Sequence, residues 1–375
     1  MEVYLDSSAT TKVCQEAASA MTKMLTENYG NPSPTHKKGL EAREALDTAR
    51  KQVASLLSCA PDEIYFSPGG SAANNTAIFG TAQALRRRGN RIVTTSIEHP
   101  SVLRCMQNLE AQGFEVIYLK PGRSGSFSTD DLMNAVNRNT ILVSIMAVNN
   151  EIGVINPISQ AGKAIKRVGS PALVHCDAVQ GFGKLKLNPA KDGIDLLSVS
   201  AHKIHGPKGV GALYIRKGVQ IKPHILGGGQ ENGMFSGTEA MPAIVGFGAA
   251  CAAIPEESRQ LEKMEHLRNY TLERLKMLPK VEINSPADSL PYIINLSVLG
   301  VPSEVLINHL SRQGIYISAG SACKRGHRSE VLRALNLPTG QIDSAVRVSF
   351  SRFTTDADAD ALLYGIESAI QRFRR

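Results

Sequence analysis

A lysine at the end of a short apolar segment is the residue of this chain best suited to do chemistry. Lys203 closes the run 195–203, which is rich in leucine and valine, and glycines and a proline follow shortly. This pattern predicts a buried strand that delivers the lysine to a turn. A partly desolvated lysine can lose its proton near neutral pH and condense with an aldehyde. The alternative is a surface lysine after an edge strand.

A carboxylate at the end of a second apolar segment favours the chemical interpretation. Asp177 closes the run 172–177, upstream of the lysine. Pyridoxal 5'-phosphate (PLP) needs such a pair. A lysine forms a Schiff base with its aldehyde, and a carboxylate binds its pyridine nitrogen. Together, Lys203 and Asp177 predict a PLP site.

One cysteine among small residues offers a nucleophile. Cys323 lies in the segment 318–328 and is followed by Lys324, Arg325 and further basic residues. Positive neighbours favour the thiolate, and glycines allow the loop to move. The alternative is a free thiol on a surface loop. The absence of a C-x-x-C pair argues against a zinc site or a disulfide framework. The remaining cysteines lie in helical or strand-like contexts and are interpreted as packing residues: Cys14, Cys59, Cys105, Cys176 and Cys251.

Further candidates lie in turns that follow predicted strands. Gly70 and Ser71 stand between a strand and a helix, where backbone amides and the helix start could hold a phosphate; the alternative is a plain turn. His99 could stack on a ring and shuttle protons, although a solvated loop histidine is the default. Asn150 follows a fully apolar strand, and the alternative there is an Asx turn. The glycine-rich loop 227–238 is either a flexible connector or a segment whose backbone comes close to a ligand.

The elements that must position these residues alternate between apolar runs and helical patterns such as 39–57. This alternation predicts an α/β fold with a mostly parallel sheet covered by helices on both faces. In such sheets the ligand lies at the carboxyl ends of the strands, where the candidate residues cluster. The predicted strands are 63–67, 91–95, 114–119, 141–146, 172–176, 196–200 and 211–215.

The pattern changes near residue 256, where a charged amphipathic helix begins. It predicts a smaller α+β domain, with which the first dozen residues pack. The predicted domains are therefore 15–255, the large cofactor-binding domain, and 1–14 with 256–375, the small domain that carries the cysteine loop. Within the small domain we predict strands at 292–297, 314–318 and 345–350 and helices at 303–313 and 356–373.

The composition of the 375 residues is that of a soluble globular protein, with 42% hydrophobic and 20% charged residues. The net charge of +8 is spread along the chain, which favours an anionic cofactor or an acidic partner over direct nucleic-acid binding. No apolar run is long enough to span a bilayer, and the first residues lack the features of a signal peptide. We therefore expect a cytoplasmic protein that does not contact a membrane.

Taken together, the motifs resemble the cysteine desulfurases of the NifS/IscS type, in the class V branch of the PLP-dependent aminotransferase superfamily. The resemblance runs essentially from end to end. The matching segments are Tyr4–Thr11, Gly30–Ser33 with His36, Glu98–His99, Val148–Gly153, His175–Gln180, Ser200–Lys203, Ser321–Cys323 and Arg347–Thr355.

The resemblance implies a homodimer with the PLP-dependent transferase fold type I, and it implies a role for each matched residue. Lys203 would form the Schiff base, Asp177 would pair with the pyridine nitrogen, and His99 would stack on the ring as a catalytic residue. The remaining implied roles are Gln180 at the ring hydroxyl, Asn150 at the cofactor, Gly70, Ser71, Ser200 and His202 at the phosphate, Thr238 at the phosphate from the second subunit, Asn31, Asn150 and Arg347 at the substrate, and Cys323 as sulfur acceptor.

The implied reaction converts L-cysteine to L-alanine and leaves a persulfide on Cys323. The sulfur would pass to an acceptor protein, either an iron–sulfur scaffold or a tRNA- or cofactor-thiolation protein. Alternatives are selenocysteine lysis, another class V aminotransferase-type reaction, or a catalytically weak scaffold. The complete set of residues suited to catalysis argues against a scaffold.

Three departures from the family pattern are Ala72 after Ser71, Phe235 where a basic residue is usual, and the Lys324-Arg325-Gly segment. We expect Phe235 to alter cofactor binding and the basic pair to select a different acceptor.

Overall fold

The computed structural model describes residues 2–122, 124–319 and 328–373. The described strands are, in chain order, β1 (Val3–Tyr4), β2 (Ile64–Ser67), β3 (Arg91–Thr95), β4 (Glu115–Leu119), β5 (Thr140–Met146), β6 (Leu173–Asp177), β7 (Leu196–Ser200), β8 (Gly211–Ile215), β9 (Val281–Ile283), β10 (Ile293–Val298), β11 (Ile315–Tyr316) and β12 (Ala345–Ser349). The described α-helices are α1 (Gln15–Thr26), α2 (Lys37–Leu57), α3 (Gly70–Leu85), α4 (Pro100–Ala111), α5 (Thr129–Ala135), α6 (Ser159–Val168), α7 (Pro189–Asp192), α8 (Met241–Ala252), α9 (Glu257–Leu275), α10 (Ser303–Arg312), α11 (Glu330–Ala334), α12 (Thr339–Asp343) and α13 (Asp356–Phe373).

The largest sheet has seven strands in the order β2-β8-β7-β6-β5-β3-β4. Only β8 runs against the others, since it pairs antiparallel with both β2 and β7. Every residue of β5, β7 and β8 is buried, as expected for strands covered on both faces. The prediction of a mostly parallel seven-stranded sheet is confirmed.

Two smaller sheets involve the C-terminal part of the chain. Strand β10 lies between β9 and β12 in an antiparallel sheet, and β1 pairs in parallel with β11. The segment predicted as a strand at 314–318 is shorter, because only Ile315 and Tyr316 form β11. Sequence reasoning missed β9, a three-residue strand with no buried residue and hence no apolar run. The domain division at residue 255 stays a prediction.

Close packing on one face of the large sheet depends on glycines in α8. A Cβ at Gly248 would lie 2.6 Å from the Cα of Ala49 in α2, and one at Gly246 would lie 2.5 Å from Cγ of Met21 in α1. Helices can approach this closely only where no side chain intervenes. Phe247 between them is fully buried and meets Phe182 edge to face. This packing supports the sheet whose carboxyl edge carries the candidate site.

Candidate active site

A cavity of about 720 Å³ opens at the carboxyl edge of the large sheet. Its volume is in the range of small-molecule and cofactor sites. Ten residues predicted from the sequence line it, which brings together side chains that are far apart along the chain. They are Gly70, Ser71, His99, Asn150, Asp177, Gln180, Ser200, His202, Lys203 and Arg347.

Lys203 ends a short 3-10 turn that follows β7 directly, as the apolar run predicted. Its Nζ donates hydrogen bonds to the carbonyl oxygens of Ser8 and Ala9, the latter at 2.9 Å. The N-terminal segment 6–11 therefore forms a wall of the site. Sequence reasoning found Tyr4–Thr11 only as a matching motif and gave it no role.

Asp177 is the last residue of β6 and is only 4% exposed. One carboxylate oxygen accepts a hydrogen bond from the backbone N–H of Val179 at 3.0 Å, and the other accepts one from Nδ2 of Asn74 at 2.7 Å. Asn74 lies in α3 and is 1% exposed. Sequence reasoning missed Asn74, although a polar residue on an otherwise apolar helix face was a signal for it.

His99 caps the N-terminus of α4 and connects to Asp177 through two side chains. The backbone N–H of Ser101 donates to Nδ1 of His99 at 3.1 Å, and Oγ of Ser101 lies 2.8 Å from the same nitrogen. Because a backbone N–H can only donate, Nδ1 accepts, and the proton of the neutral ring lies on Nε2. Asn74 donates to Oγ of Ser101 at 2.9 Å, which completes the connection.

Burial keeps the ring of His99 neutral. Desolvation lowers its pKa below the ordinary value, and the charge of Lys203 acts in the same direction, although Asp177 opposes both. A neutral imidazole is suited to pack against an aromatic ring. The position agrees with the role that the resemblance implies, and that role stays a prediction.

The N-terminus of α3 forms another corner of the cavity. Gly69, with φ at +144°, adopts a backbone conformation that favours glycine. A Cβ at Gly70 would lie 2.6 Å from Cγ2 of Val179, so the helix start is packed closely against the loop that follows Asp177. Ser200 ends the adjacent strand β7. The free amides of a helix N-terminus suit an anion such as a phosphate.

His202 adds a neutral ring to this corner. Its Nδ1 lies 3.3 Å from Oγ1 of Thr10. Burial, together with the charges of Lys203, Lys208 and Lys184, lowers the pKa of His202 to about 4. At neutral pH it offers a hydrogen bond and no charge.

Arg347 lies in β12 and is 2% exposed, yet its guanidinium reaches the cavity. It forms an ion pair with Asp6 at 2.8 Å and donates to the carbonyl oxygen of Asn150 at 2.8 Å. The alternative of an Asx turn applies to Asn149, whose Oδ1 accepts from two backbone amides, while Asn150 lines the cavity. A buried guanidinium at this place is suited to bind a carboxylate.

Some predicted site residues lie elsewhere. Asn31 is exposed, accepts a hydrogen bond from the backbone N–H of Ser33 at 2.8 Å and does not line the cavity. Thr238 is also exposed outside the cavity, and its role across a dimer stays a prediction. Phe235 is 6% exposed and packs in an apolar cluster with Ala77 and other residues, and the expectation that it alters cofactor binding in a dimer stays a prediction. Cys323 lies outside the described residues.

Four of the other five cysteines are poor nucleophiles. Burial raises the pKa of Cys59 and of Cys105 to about 12, and it raises the pKa of Cys176 and Cys251 as well. Cys14 is buried. The interpretation of these residues as packing residues is consistent with that burial. Among the described residues, no group of histidine, cysteine and acidic side chains could hold a metal ion.

The donor set of the cavity fits PLP. It combines an amine for an aldehyde, a buried carboxylate for a pyridine nitrogen, a neutral imidazole for a ring face and a helix N-terminus for a phosphate. Asp177 supports this fit best, because it is buried and paired with neutral donors rather than with a cation. A buried carboxylate of this kind is suited to bind a protonated ring nitrogen.

Comparisons with known proteins found a family model and relatives that match almost the whole chain. A model of the aminotransferase class-V family matches residues 3–362. A protein named cysteine desulfurase IscS, from Dictyoglomus turgidum, is 42% identical over 378 residues, which cover 100% of this chain and 95% of that protein. A solved NifS-like protein superposes with a TM-score of 0.93 at 38% identity, covering 99% of this chain and 100% of the other. A structure of SspA in complex with cysteine gives a TM-score of 0.82 at 33% identity, over 94% of this chain and 99% of that one.

No helix in the described ranges is long and apolar enough to cross a membrane.

Proposed function

This chain belongs to the aminotransferase class-V family and, within it, to the cysteine desulfurases, and we propose that it removes sulfur from L-cysteine with PLP as cofactor. The observation that carries the proposal is the meeting of Lys203, Asp177, His99 and Arg347 in one cavity. When bound, PLP supplies an electron sink for the pair released at the substrate Cα. Selenocysteine lysis and aminotransfer are disfavoured, since the relatives are cysteine desulfurases.

Several residues would hold the cofactor. Lys203 would join its aldehyde carbon, and Asp177 would bind the ring nitrogen, kept in place by Asn74. His99 would cover one ring face, and Gln180 would contact the ring hydroxyl. The phosphate would meet the amides at the start of α3 with side chains from neighbouring turns, namely Gly70, Ser71, Ser200 and His202.

The substrate would be oriented by its carboxylate. Arg347 is suited to this because its guanidinium is already held by Asp6 and by the carbonyl of Asn150. An oriented carboxylate fixes the direction of the Cα–H bond toward Lys203. The free amine of Lys203 would then accept the Cα proton, and Cys323 would attack the substrate sulfur as a thiolate. The S–S bond would form while the Cβ–S bond breaks, and the electron pair of the broken bond would stay on the carbon skeleton. A proton delivered to Cβ and the return of the proton from Lys203 to Cα would complete L-alanine.

The flanks of the segment that carries Cys323 support its place in this reaction. Ser318, five residues before the cysteine, accepts a backbone hydrogen bond from Arg347 at 2.7 Å. Ser329, six residues after it, donates from Oγ to Oε2 of Glu151 at 2.5 Å, and Glu151 lines the cavity. Both flanks therefore meet residues that line the cavity, Arg347 on one side and Glu151 on the other, which supports the proposal that Cys323 acts there.

Further parts of the proposal concern partners. We propose a homodimer in which Thr238 reaches the phosphate of the other subunit, and a sulfur-acceptor protein that receives the persulfide from Cys323, either an iron–sulfur scaffold or a thiolation protein. The basic Lys324-Arg325 pair favours an acidic acceptor surface. We also propose that the protein acts in the cytoplasm.

The test is to incubate the PLP-loaded protein with L-cysteine and to quantify alanine and sulfide. We expect both products, and extra sulfur mass on the Cys323 peptide after alkylation. Cys323→Ala should bind L-cysteine yet release almost no alanine, whereas Cys59→Ala, a matched control at a protonated thiol, should keep wild-type turnover. Normal alanine formation by Cys323→Ala, or exchange with a keto acid instead of sulfur release, would contradict the proposal.

A further inference from the structure

In the described part of the chain, a third cationic side chain lines the active-site cavity, in addition to Lys203 and Arg347. Lys208 lies in the segment between β7 and β8, and its neighbour Gly209 lines the cavity as well. The side chain of Lys208 is exposed, so its ammonium is solvated and charged at neutral pH. The reaction described above gives Lys208 no role.

The sheet topology brings Lys208 to the corner of the cavity where α3 begins. Because β8 runs antiparallel to its neighbours, it begins at the edge of the sheet where β2 and β7 end. Its first residue, Gly211, pairs with Ser67 of β2 and with Ser200 of β7. Lys208 precedes Gly211 by three residues. It therefore stands between the turn that leads into α3 and the turn that carries His202.

Close backbone contacts hold this segment against both turns. The backbone N–H of Ala201 donates to the carbonyl oxygen of Val210 at 3.2 Å. A Cβ at Gly211 would lie 2.9 Å from the carbonyl carbon of Gly69, which directly precedes α3. The position of the segment relative to the start of α3 is therefore fixed by the backbone.

The charge of Lys208 acts on this corner. Burial is the main cause that lowers the pKa of His202, and the charges of Lys203 and then Lys208 act in the same direction. The ammonium of Lys208 is therefore close enough to influence a ring that lines the same corner.

The acidic residues of the cavity take part in other contacts. Within the described ranges, the three acids that line the cavity accept hydrogen bonds as follows: Glu98 from Thr95 and the amide of Met146, Glu151 from Ser329, and Asp177 from Asn74 and the amide of Val179. None of these bonds involves Lys208. An anion that binds beside Lys208 therefore need not displace any of them.

A phosphate at the start of α3 would be stabilised by a positive charge. A phosphate monoester carries about 1.5 to 2 negative charges at neutral pH. The groups assigned to it so far are backbone amides, hydroxyls and the neutral ring of His202. Lysine binds phosphate as a point charge, without the fixed geometry that arginine requires.

We propose that Lys208 binds the phosphate of the bound cofactor through its ammonium, and that the site thereby favours PLP over pyridoxal, which has no phosphate. This inference rests on the proposed function, because it assumes PLP in the cavity.

The test measures cofactor binding rather than turnover. Full-length protein freed of cofactor is titrated with PLP and, separately, with pyridoxal, and the visible absorbance of the bound ligand is followed. The variants are Lys208→Met, Lys208→Arg and the control Lys217→Met, which removes an exposed lysine outside the cavity. Sedimentation of the same samples gives their oligomeric state.

Lys208→Met should weaken PLP binding roughly 5- to 30-fold, a moderate effect because solvent screens an exposed charge. Its affinity for pyridoxal should stay within about twofold of wild type, since the part of the ligand that Lys208 binds is missing. Lys208→Arg keeps the charge and should bind PLP nearly as wild type does. Lys217→Met should match wild type with both ligands.

Unchanged PLP affinity in Lys208→Met would overturn the inference, and so would equal losses for PLP and pyridoxal, because the effect would then not depend on the phosphate. A loss specific to PLP that accompanies a changed oligomeric state would also overturn it, because the subunit contact would then explain the loss. If the wild-type protein binds no PLP, the proposed function itself fails. Wild-type binding of PLP that Lys208→Met reproduces contradicts only the role of Lys208.

Discussion

The side chain of Asn74 offers a sharp test of how the site is held together. It is 1% exposed and donates both to Asp177 at 2.7 Å and to Ser101 at 2.9 Å. Asn74→Ala removes one hydrogen bond to an ionised carboxylate, which contributes about 1.5–3 kcal/mol. If that energy serves the reaction through the orientation of Asp177, turnover should fall roughly 10- to 150-fold. The mutation also separates His99 and Ser101 from Asp177.

The assay is alanine formation at saturating PLP and L-cysteine, with thermal unfolding of the same samples. Asn75→Ala is the matched control, because this neighbour donates only to the backbone carbonyls of Ser71 and Ser101. We expect Asn75→Ala to stay within about threefold of wild type. Wild-type turnover in Asn74→Ala would refute the reasoning, because the carboxylate would then need no support from this side chain. Equal losses in both variants would also refute it, because the effect would then not depend on the contact with Asp177.

Three further predictions concern single side chains. Borohydride reduction of the yellow holoenzyme should fix the cofactor on the peptide with Lys203, and mass spectrometry that finds it on Lys208 would exclude this assignment. Asp177→Asn should still bind PLP, as absorbance would show, but lose most turnover, because an amide cannot stabilise a protonated ring nitrogen; near-normal turnover would contradict that role. Burial raises the pKa of Glu98 to about 8, so the folded protein keeps a proton that the unfolded chain loses above pH 4.5, and this stabilisation disappears as pH rises toward 8. In denaturant titrations, the free energy of unfolding of Glu98→Gln should therefore exceed that of wild type by an amount that grows from pH 5 to 8, by up to about 1.4 kcal/mol per pH unit. A difference in unfolding free energy that stays constant over this range would show that Glu98 is ionised.

Four of the residues found from the sequence share one property: His99, Asn150, Asp177 and Lys203 each stand at or shortly after the end of an apolar run. Lys203 comes right after β7 and Asp177 ends β6, so the pattern that predicts the strand also places the residue at the edge of the sheet. The seven strands of the large sheet were predictable for the same reason. Parallel strands buried on both faces leave continuous apolar runs, which few other structures produce.

The residues that sequence reasoning missed act through other groups. Asn74 supports Asp177 from inside a helix, and the carbonyl oxygens of Ser8 and Ala9 hold Lys203. Asn74 leaves a signal as a polar residue on an apolar helix face, but that signal does not reveal its partner, because Asp177 lies 103 residues further along the chain. The burial of Phe235 was equally out of reach, since a loop of glycines gives no periodicity that could assign a face.

The contacts of segment 6–11 have a consequence for the order in which the molecule can assemble. Its carbonyls meet Lys203, 194 and 195 residues further along, and Asp6 meets Arg347 across 341 residues. During synthesis this segment is made before Lys203 and Arg347, which emerge from the ribosome much later. Pairings of such long sequence separation form slowly, because the loop-closure entropy must be overcome before the contact contributes. The contacts that hold segment 6–11 in place are thus complete only once β12 has formed, so that a chain halted before β12 would contain this wall without Arg347, the ion-pair partner of its Asp6.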